Sequence, residues 1–409
     1  MAELGSGQPS GVQPGTMPPV LFNVCLILLV LTLLHFPAAY LSNSWIYDRN
    51  GLGSPTDFVN VWAAGRLALD GHAAQAWDWQ IQKQVEVAVL HQDFAGNFAW
   101  HYPPPFLFVA TFLAQFPYAV AFIGWMIASL LPFVAVMRAI VGRRFGIMLA
   151  IAFPATFANL AVGQNGFFTA SLIGGTLLLM QARPVLAGIC LGLLTYKPQY
   201  GLLFPLILVV SGQWRVFVSA AVTAVLVALA SVLAFGVESW AAFIHWMPKI
   251  SEAVLSNGEA SWLRLQSVFA MVRCLGGGET LAWTLQLVVA ASVAVGLALI
   301  WRSRLPYALK AAAVAVGTLL CSPYVYMYDF AVLAIPVAYL VRIGCEQGFR
   351  VHEPYALALV LALLASYPFL QIPVGLASTL TVAALIVLRA RADLHHVPAP
   401  GQGIASAFA

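Results

Sequence analysis

Residues 20–40, VLFNVCLILLVLTLLHFPAAY, decide the class of fold. The run contains no Asp, Glu, Lys or Arg, and about 20 apolar residues are enough for a helix to cross the hydrocarbon core of a bilayer. Similar runs recur at 216–236 and 280–301. Of the 409 residues, 61% are hydrophobic and 8% are charged, whereas soluble domains are roughly 45–50% apolar and about 25% charged. The chain is therefore predicted to be a membrane protein.

Outward from this run, the apolar pattern predicts an all-α polytopic transmembrane bundle of about twelve spans. The runs are continuous rather than alternating, which argues against a β-barrel. Segments 184–196 and 199–211 are short and meet at Pro198, which breaks a helix, so they form either a tight hairpin or a broken, partly re-entrant pair. The segments lie near 20–40, 106–137, 145–162, 167–181, 184–196, 199–211, 216–236, 280–301, 307–321, 326–341, 355–369 and 373–388.

The charges sort by membrane side. With a cytoplasmic N-terminus, 12 of the 19 basic residues fall inside, and the net charge is +8 on the inner side and −4 on the outer side. Basic residues in short loops set the orientation of membrane proteins. We therefore expect a multi-pass protein of the cytoplasmic membrane with both termini inside and long outer loops at 41–105 and 237–279. Topology accounts for the formal charge of +4, so nucleic acid is not an expected partner.

The chain is predicted to hold one membrane domain, 18–390, between a disordered cytoplasmic segment, 1–17, and a cytoplasmic tail, 391–409. No basic residue precedes the first apolar run, so that run is expected to be a retained anchor rather than a signal peptide. The five cysteines show no paired spacing, which favours small buried side chains over disulfides or a metal framework. No cofactor and no tight metal cluster are expected, although the acidic outer rim leaves a divalent ion open.

The first outer loop contains six of the fifteen acidic residues. Segments 57–69 and 78–90 are predicted to be amphipathic helices at the membrane surface, with Trp62, Trp77 and Trp79 in the headgroup region.

The same loop carries the first candidate site residues. Asp57 either caps the first of these helices or serves as a general base held at the bilayer face. His101 and Tyr102 precede three prolines, and they either stiffen the return into the membrane or contact a substrate.

Further candidates lie at the outer ends of spans. Lys197 either extends toward lipid phosphates or holds an anionic phosphate that leaves during a reaction. Gln164 and Asn165 either form a turn with the flanking glycines or hydrogen-bond sugar hydroxyls. Tyr324 belongs either to an aromatic belt or to a site, and Asp329 heads an apolar run, where an acid must be paired or functional.

These motifs together resemble those of glycosyltransferase family 87, membrane enzymes of the GT-C superfamily that include polyprenol-phosphate-mannose-dependent mannosyltransferases. The resemblance covers nearly the whole chain. It departs at Tyr328-Asp329, where some related enzymes carry histidine. The motifs are Asp57-Phe58 with Trp62-Ala63-Ala64-Gly65-Arg66, Tyr102-Pro103-Pro104-Pro105, Gly163-Gln164-Asn165, the stretch 193–199, and Ser322-Pro323-Tyr324 with Tyr328-Asp329.

The resemblance implies an inverting enzyme. It would move a hexose, mannose in the first instance, from a polyprenyl-phosphate donor to a lipid or glycan acceptor at the outer face of the membrane. Asp57 would be the catalytic base and Lys197 would bind the donor phosphate. The substrate would contact His101, Tyr102, Gln164, Asn165, Tyr324 and Asp329. A transporter or flippase of lipid-linked glycans is the alternative, although such proteins place ionisable groups near the bilayer midplane.

Overall fold

The computed structural model describes residues 15–259, 261–370 and 372–395. Within these residues the chain is helical, and the extended pairing found there is one bridge between Tyr47 and Gly53. The predicted all-α fold is confirmed. The predicted disordered segment 1–17 falls largely outside the described residues, and so does the predicted tail from residue 396 onward.

Eighteen α-helices follow one another along the described chain, joined in places by single 3-10 turns. In order they are α1 Pro19–Leu41, α2 Phe58–Leu69, α3 Trp79–Leu90, α4 Leu107–Leu113, α5 Tyr118–Val141, α6 Arg143–Ala152, α7 Pro154–Val162, α8 Gly166–Leu179, α9 Pro184–Leu193, α10 Phe204–Val210, α11 Trp214–Phe235, α12 Val237–Ser251, α13 Val268–Cys274, α14 Glu279–Arg302, α15 Tyr307–Cys321, α16 Ala334–Gln347, α17 Glu353–Ala365 and α18 Val374–His395.

Among the described residues, six helices are long and apolar enough to cross a membrane. They are α1, α5, α11, α14, the combined helix Met327–Gln347 and α18, and the pair α6–α7, bent by 54°, would add a seventh. The remaining predicted segments are shorter helices: α8, α15, α17 and the broken runs Pro184–Tyr196 and Pro198–Val210. A polytopic helical membrane protein is confirmed, and the count of twelve spans stays a prediction.

Proline marks the places where predicted segments are interrupted. The predicted segment 106–137 is two helices, because α4 ends at Leu113 and Pro117 precedes α5. Pro154 starts α7 after the bend, and Pro198 starts a 3-10 turn directly after Lys197. Proline has no N–H to donate, so it ends one helix and is accepted in the first turn of the next.

The bundle has a buried centre and two outward helices. In an apolar stretch of 18 residues within Met327–Gln347, 83% of the residues are buried, against 11% in the corresponding stretches of α11 and α14. In α11 and α14 the exposed side chains are mostly Leu and Val. Such faces are stable against lipid tails rather than water.

The first long loop packs against the bundle more tightly than predicted. Its two helices are present as α2 and α3, and the Asp78 side chain caps α3 by accepting hydrogen bonds from two backbone amides. However, Trp77 is fully buried, and its indole N–H donates to the Tyr102 carbonyl at 3.2 Å. The prediction of Trp77 in the headgroup region is therefore wrong, because this indole finds its partner inside the protein.

The connections predicted to lie on the inner side meet at one end of the bundle. The Tyr307 hydroxyl donates to the Leu177 carbonyl, which ties the start of α15 to the end of α8. Glu353 and Arg389 form a buried ion pair, with Arg389 Nε 2.6 Å from Glu353 Oε1. This pair joins the start of α17 to the last turns of α18.

Candidate active site

A cavity of about 1820 Å³ lies at the other end of the bundle. Both long loops and three junctions between helices contribute to its wall. Seven of the eight predicted site residues line it: Asp57, His101, Tyr102, Gln164, Lys197, Tyr324 and Asp329. Asn165 does not line the cavity; its side chain is buried behind the wall.

Asp57 occupies the N-cap position of α2, yet its side chain makes no capping hydrogen bond. Instead, its Oδ2 accepts a hydrogen bond from Gln164 Nε2 at 3.0 Å. Among the described residues, no donor is found for Oδ1. One oxygen of the carboxylate is therefore bound by a fixed amide, and the other is available to the cavity. This arrangement does not fit the alternative that Asp57 only caps the helix.

The Gln164 amide has its orientation set by the protein. Its Oε1 accepts hydrogen bonds from the Tyr102 hydroxyl and from the backbone N–H of Asn165, both at 3.2 Å. A backbone N–H can only donate, so the amide oxygen must face it and the NH₂ group must face Asp57. Gly163 has φ of +72°, and a Cβ there would overlap Phe58 and Phe122. The predicted turn at Gly163 and Gln164 therefore also positions the Asp57 carboxylate.

Lys197 and Asp329 form a buried ion pair across the cavity wall. Lys197 Nζ lies 2.7 Å from Asp329 Oδ1, and the two side chains are 8% and 3% exposed. The other carboxylate oxygen, Oδ2, accepts from the Tyr326 backbone N–H at 3.0 Å. Lys197 therefore does not extend toward lipid, and Asp329 has the partner that an acid beside an apolar run needs.

The tyrosines near this pair face the cavity rather than an aromatic belt. Tyr324, Tyr326 and Tyr328 are half-buried in its wall, and the rings of Tyr326 and Tyr328 stack at 5.5 Å. Asn159 fixes this junction, because it donates to the Tyr328 carbonyl and accepts from the Gly166 N–H, both at 2.8 Å.

The surroundings adjust two titratable groups in the cavity. Burial raises the pKa of Asp57, while the hydrogen bond from Gln164 and the charges of Arg264 and Lys197 lower it. Burial, aided by the charge of Lys197, lowers the pKa of His101 to about 4. His101 is therefore a neutral imidazole at physiological pH, able to donate and accept hydrogen bonds.

Sequence reasoning missed Arg264, which lines the cavity from the second long loop. The side chain is exposed, and its charge opposes the larger effect of burial, which raises the pKa of Asp57. Arg273 lies in the same loop but donates to the Gly277 and Ser256 carbonyls, and only the fold distinguishes the two arginines.

One part of the cavity wall is apolar and is built from helix faces. Leu31 and Leu34, which line it from α1, are 57% and 66% exposed, so this part of the cavity is open at its side. The other apolar lining comes from α7, from the end of α17 and from the turn that follows it, and includes Phe157, Ala158, Ala161, Leu364 and Phe369.

A polytopic helical membrane protein with three carboxylates and two cations in one cavity fits the class of integral membrane transferases that the sequence motifs resemble. The profile of glycosyltransferase family 87 matches residues 100–323, more than half of the chain, and the protein belongs to this family. Neither the curated proteins nor the solved structures contain a match. Membership decides for a glycosyltransferase over a transporter. Asp57 and Asp329 lie outside the matched residues.

Proposed function

We propose that the protein is an inverting glycosyltransferase of the cytoplasmic membrane. It transfers a hexose, mannose in the first instance, from a polyprenyl-phosphate donor to a hydroxyl of a lipid or glycan acceptor at the outer face. The observation that carries this proposal is the placement of a fixed carboxylate, Asp57, in the same cavity as the cation Lys197.

Asp57 is suited to be the general base. In the reaction its Oδ1 takes the proton of the acceptor hydroxyl while that oxygen bonds to the anomeric carbon of the sugar. The bond from this carbon to the phosphate oxygen breaks on the opposite face, and the electron pair leaves with the phosphate. Burial strengthens Asp57 as a base by raising its pKa, and the NH₂ of Gln164 stabilises its ionised form.

The leaving group needs charge stabilisation rather than a proton. A phosphate monoester is a weak base, so a cation near its oxygens lowers the barrier to departure. Lys197 carries three N–H donors, of which one faces Asp329. The others remain available to the donor phosphate.

The apolar part of the wall supports a lipid-borne donor. A polyprenyl chain would lie against Leu31, Phe157 and Leu364 with its phosphate toward Lys197. The opening beside α1 lets such a chain enter from the bilayer, and hydrocarbon contacts of this kind contribute about 25 cal/mol per Å² of buried area.

Two observations support the outer face. The basic residues of the short connections concentrate on one side, as they do in cytoplasmic loops. The start of α17 contacts the last turns of α18 through Glu353 and Arg389, and the cavity lies at the opposite end of α17, beside Leu364 and Ala365.

The decisive experiment is transfer of labelled mannose from polyprenyl-phosphate mannose in membranes containing wild type or Asp57→Asn at matched expression. We expect the substitution to lower transfer about 100-fold or more, because a general base contributes on this order. Asp70→Asn is the matched control, since Asp70 is exposed and paired with Arg66 outside the cavity. Equal transfer by wild type and Asp57→Asn would show that Asp57 is not the base. No transfer by wild type would show that polyprenyl-phosphate mannose is not the donor.

A further inference from the structure

Apart from Arg264, the charges that line the cavity are negative on balance. Lys197 is neutralised at 2.7 Å by Asp329, so the pair as a whole adds no net charge. Asp57, when ionised, and Glu259 add two negative charges, and a departing phosphate would add up to two more. A site with only these groups would repel its own leaving group.

Arg264 supplies the missing charge. Among the described residues, no ion pair and no side-chain hydrogen bond involves its guanidinium, although the group lines the cavity. Its charge reaches Asp57, where it opposes the larger effect of burial, which raises the pKa of that carboxyl. A guanidinium presents a planar fork of N–H donors that matches two phosphate oxygens at once.

The backbone around Arg264 is fixed while its side chain is free. The Gln266 N–H donates to the Val325 carbonyl at 2.8 Å, which ties this loop to the junction that carries Asp329. The Gln266 side chain accepts from the Gly375 N–H and donates to the Leu263 carbonyl, both at 2.9 Å. Arg264 is thus held at the cavity by its neighbours and keeps its own donors for a ligand.

Resting on the function proposed above, we propose that Arg264 binds the phosphate of the lipid-linked donor and balances the charge that develops as it leaves. Lys197 and Arg264 then have different roles in binding the phosphate. Lys197, anchored by Asp329, fixes where the phosphate sits, and Arg264 is the cation without a carboxylate partner that holds it.

The test compares binding of a polyprenyl monophosphate and of the corresponding uncharged polyprenol to the purified full-length protein. Wild type should prefer the phosphate. Arg264→Gln should weaken phosphate binding about 10- to 100-fold, the loss expected for charge-assisted hydrogen bonds, and leave polyprenol binding unchanged. Arg264→Lys should recover part of the loss, because it restores the charge without the fork.

Lys249→Gln is the matched control, because it removes one charge from the same loop. Lys249 contacts His245 and Trp246 and does not line the cavity. Arg264→Gln with wild-type phosphate affinity would overturn the inference, and so would an equal loss in Lys249→Gln. If wild type binds the polyprenyl monophosphate and the polyprenol equally, the proposed donor class is wrong. The test therefore distinguishes a failure of the proposed function from a failure of the role of Arg264. Unchanged polyprenol binding shows that the variants are folded.

In transfer assays, Arg264→Gln should raise the KM for the lipid-linked donor about 10-fold or more and leave the KM for the acceptor unchanged. A merely structural role for Arg264 would change both constants or the amount of folded protein.

Discussion

At the scale of single residues, the Gln164 amide governs the state of Asp57. Its oxygen is held by Tyr102 and by the Asn165 backbone, so its NH₂ group cannot turn away from the carboxylate. An N–H donor aimed at a buried carboxylate favours the ionised form. The base is therefore kept charged by an amide that carries no charge of its own.

Gln164→Glu should shift the pH profile of transfer. The substitution removes the donor and adds a like charge, and both changes raise the pKa of Asp57. Since the base must be ionised, the acidic limb of the kcat/KM profile should move upward by about one pH unit or more, with activity recovering at higher pH.

Gln199→Glu is the comparison for this profile. Gln199 also lines the cavity, and no contact joins it to Asp57 in the described structure. Its acidic limb should stay near that of wild type. An acidic limb in Gln164→Glu that coincides with wild type would show that the amide does not control Asp57.

The residues that sequence could and could not reveal differ in a physical way. Lys197 and Asp329 are charged groups at the ends of apolar runs, where an idle charge is costly, and Asp57 begins a predicted helix in the first long loop, so local sequence patterns select all three. Their pairing depends on contacts between distant segments, which no local pattern contains. Gln164 was predicted as a sugar-binding amide, and its link to Asp57 came only from the fold.

At the scale of elements, α2 positions Asp57 because it packs closely on α4. Gly65 faces the Ala110 carbonyl so closely that a Cβ would overlap it. Small residues allow such backbone approach between helices. The position of α2 therefore depends on the absence of a side chain at Gly65.

Gly65→Ala should force the two helices apart. We expect a loss of about 1–3 kcal/mol of unfolding free energy, as for overpacked cores, together with lower transfer, because Asp57 moves with α2. Thermal unfolding of the detergent-solubilised protein measures the first effect. Gly124→Ala in α5 is the control, since a Cβ there meets nothing within 4 Å; equal melting of both variants would contradict the packing argument.

Helix breaks were the part of the architecture that sequence located well. Pro198 was expected to interrupt its segment, and it does, because a missing N–H acts locally. Burial of α2 was not foreseen, since amphipathic helices at a membrane surface and helices packed on a bundle share the same periodicity. Only the long-range contact with α4 separates the two.

At the scale of the whole molecule, the separation of the cavity from the basic end predicts a sidedness. In a cysteine-free variant of full-length protein, a membrane-impermeant maleimide should label Asn97→Cys in intact cells, because Asn97 is exposed on the first long loop. Arg304→Cys, exposed in the connection before α15, should be labelled only after permeabilisation. The reverse pattern would invert the topology and place transfer on the cytoplasmic side.

The Lys197–Asp329 pair has a consequence for biogenesis. The two partners are separated by 132 residues, so the ammonium leaves the ribosome long before its carboxylate exists. An unpaired charge is expensive inside hydrocarbon, and the turn that carries it must stay in contact with water or lipid headgroups during insertion. The helices before and after Lys197 thus reach their final depth only once the later part of the chain arrives, and the cavity closes as one of the last events of folding.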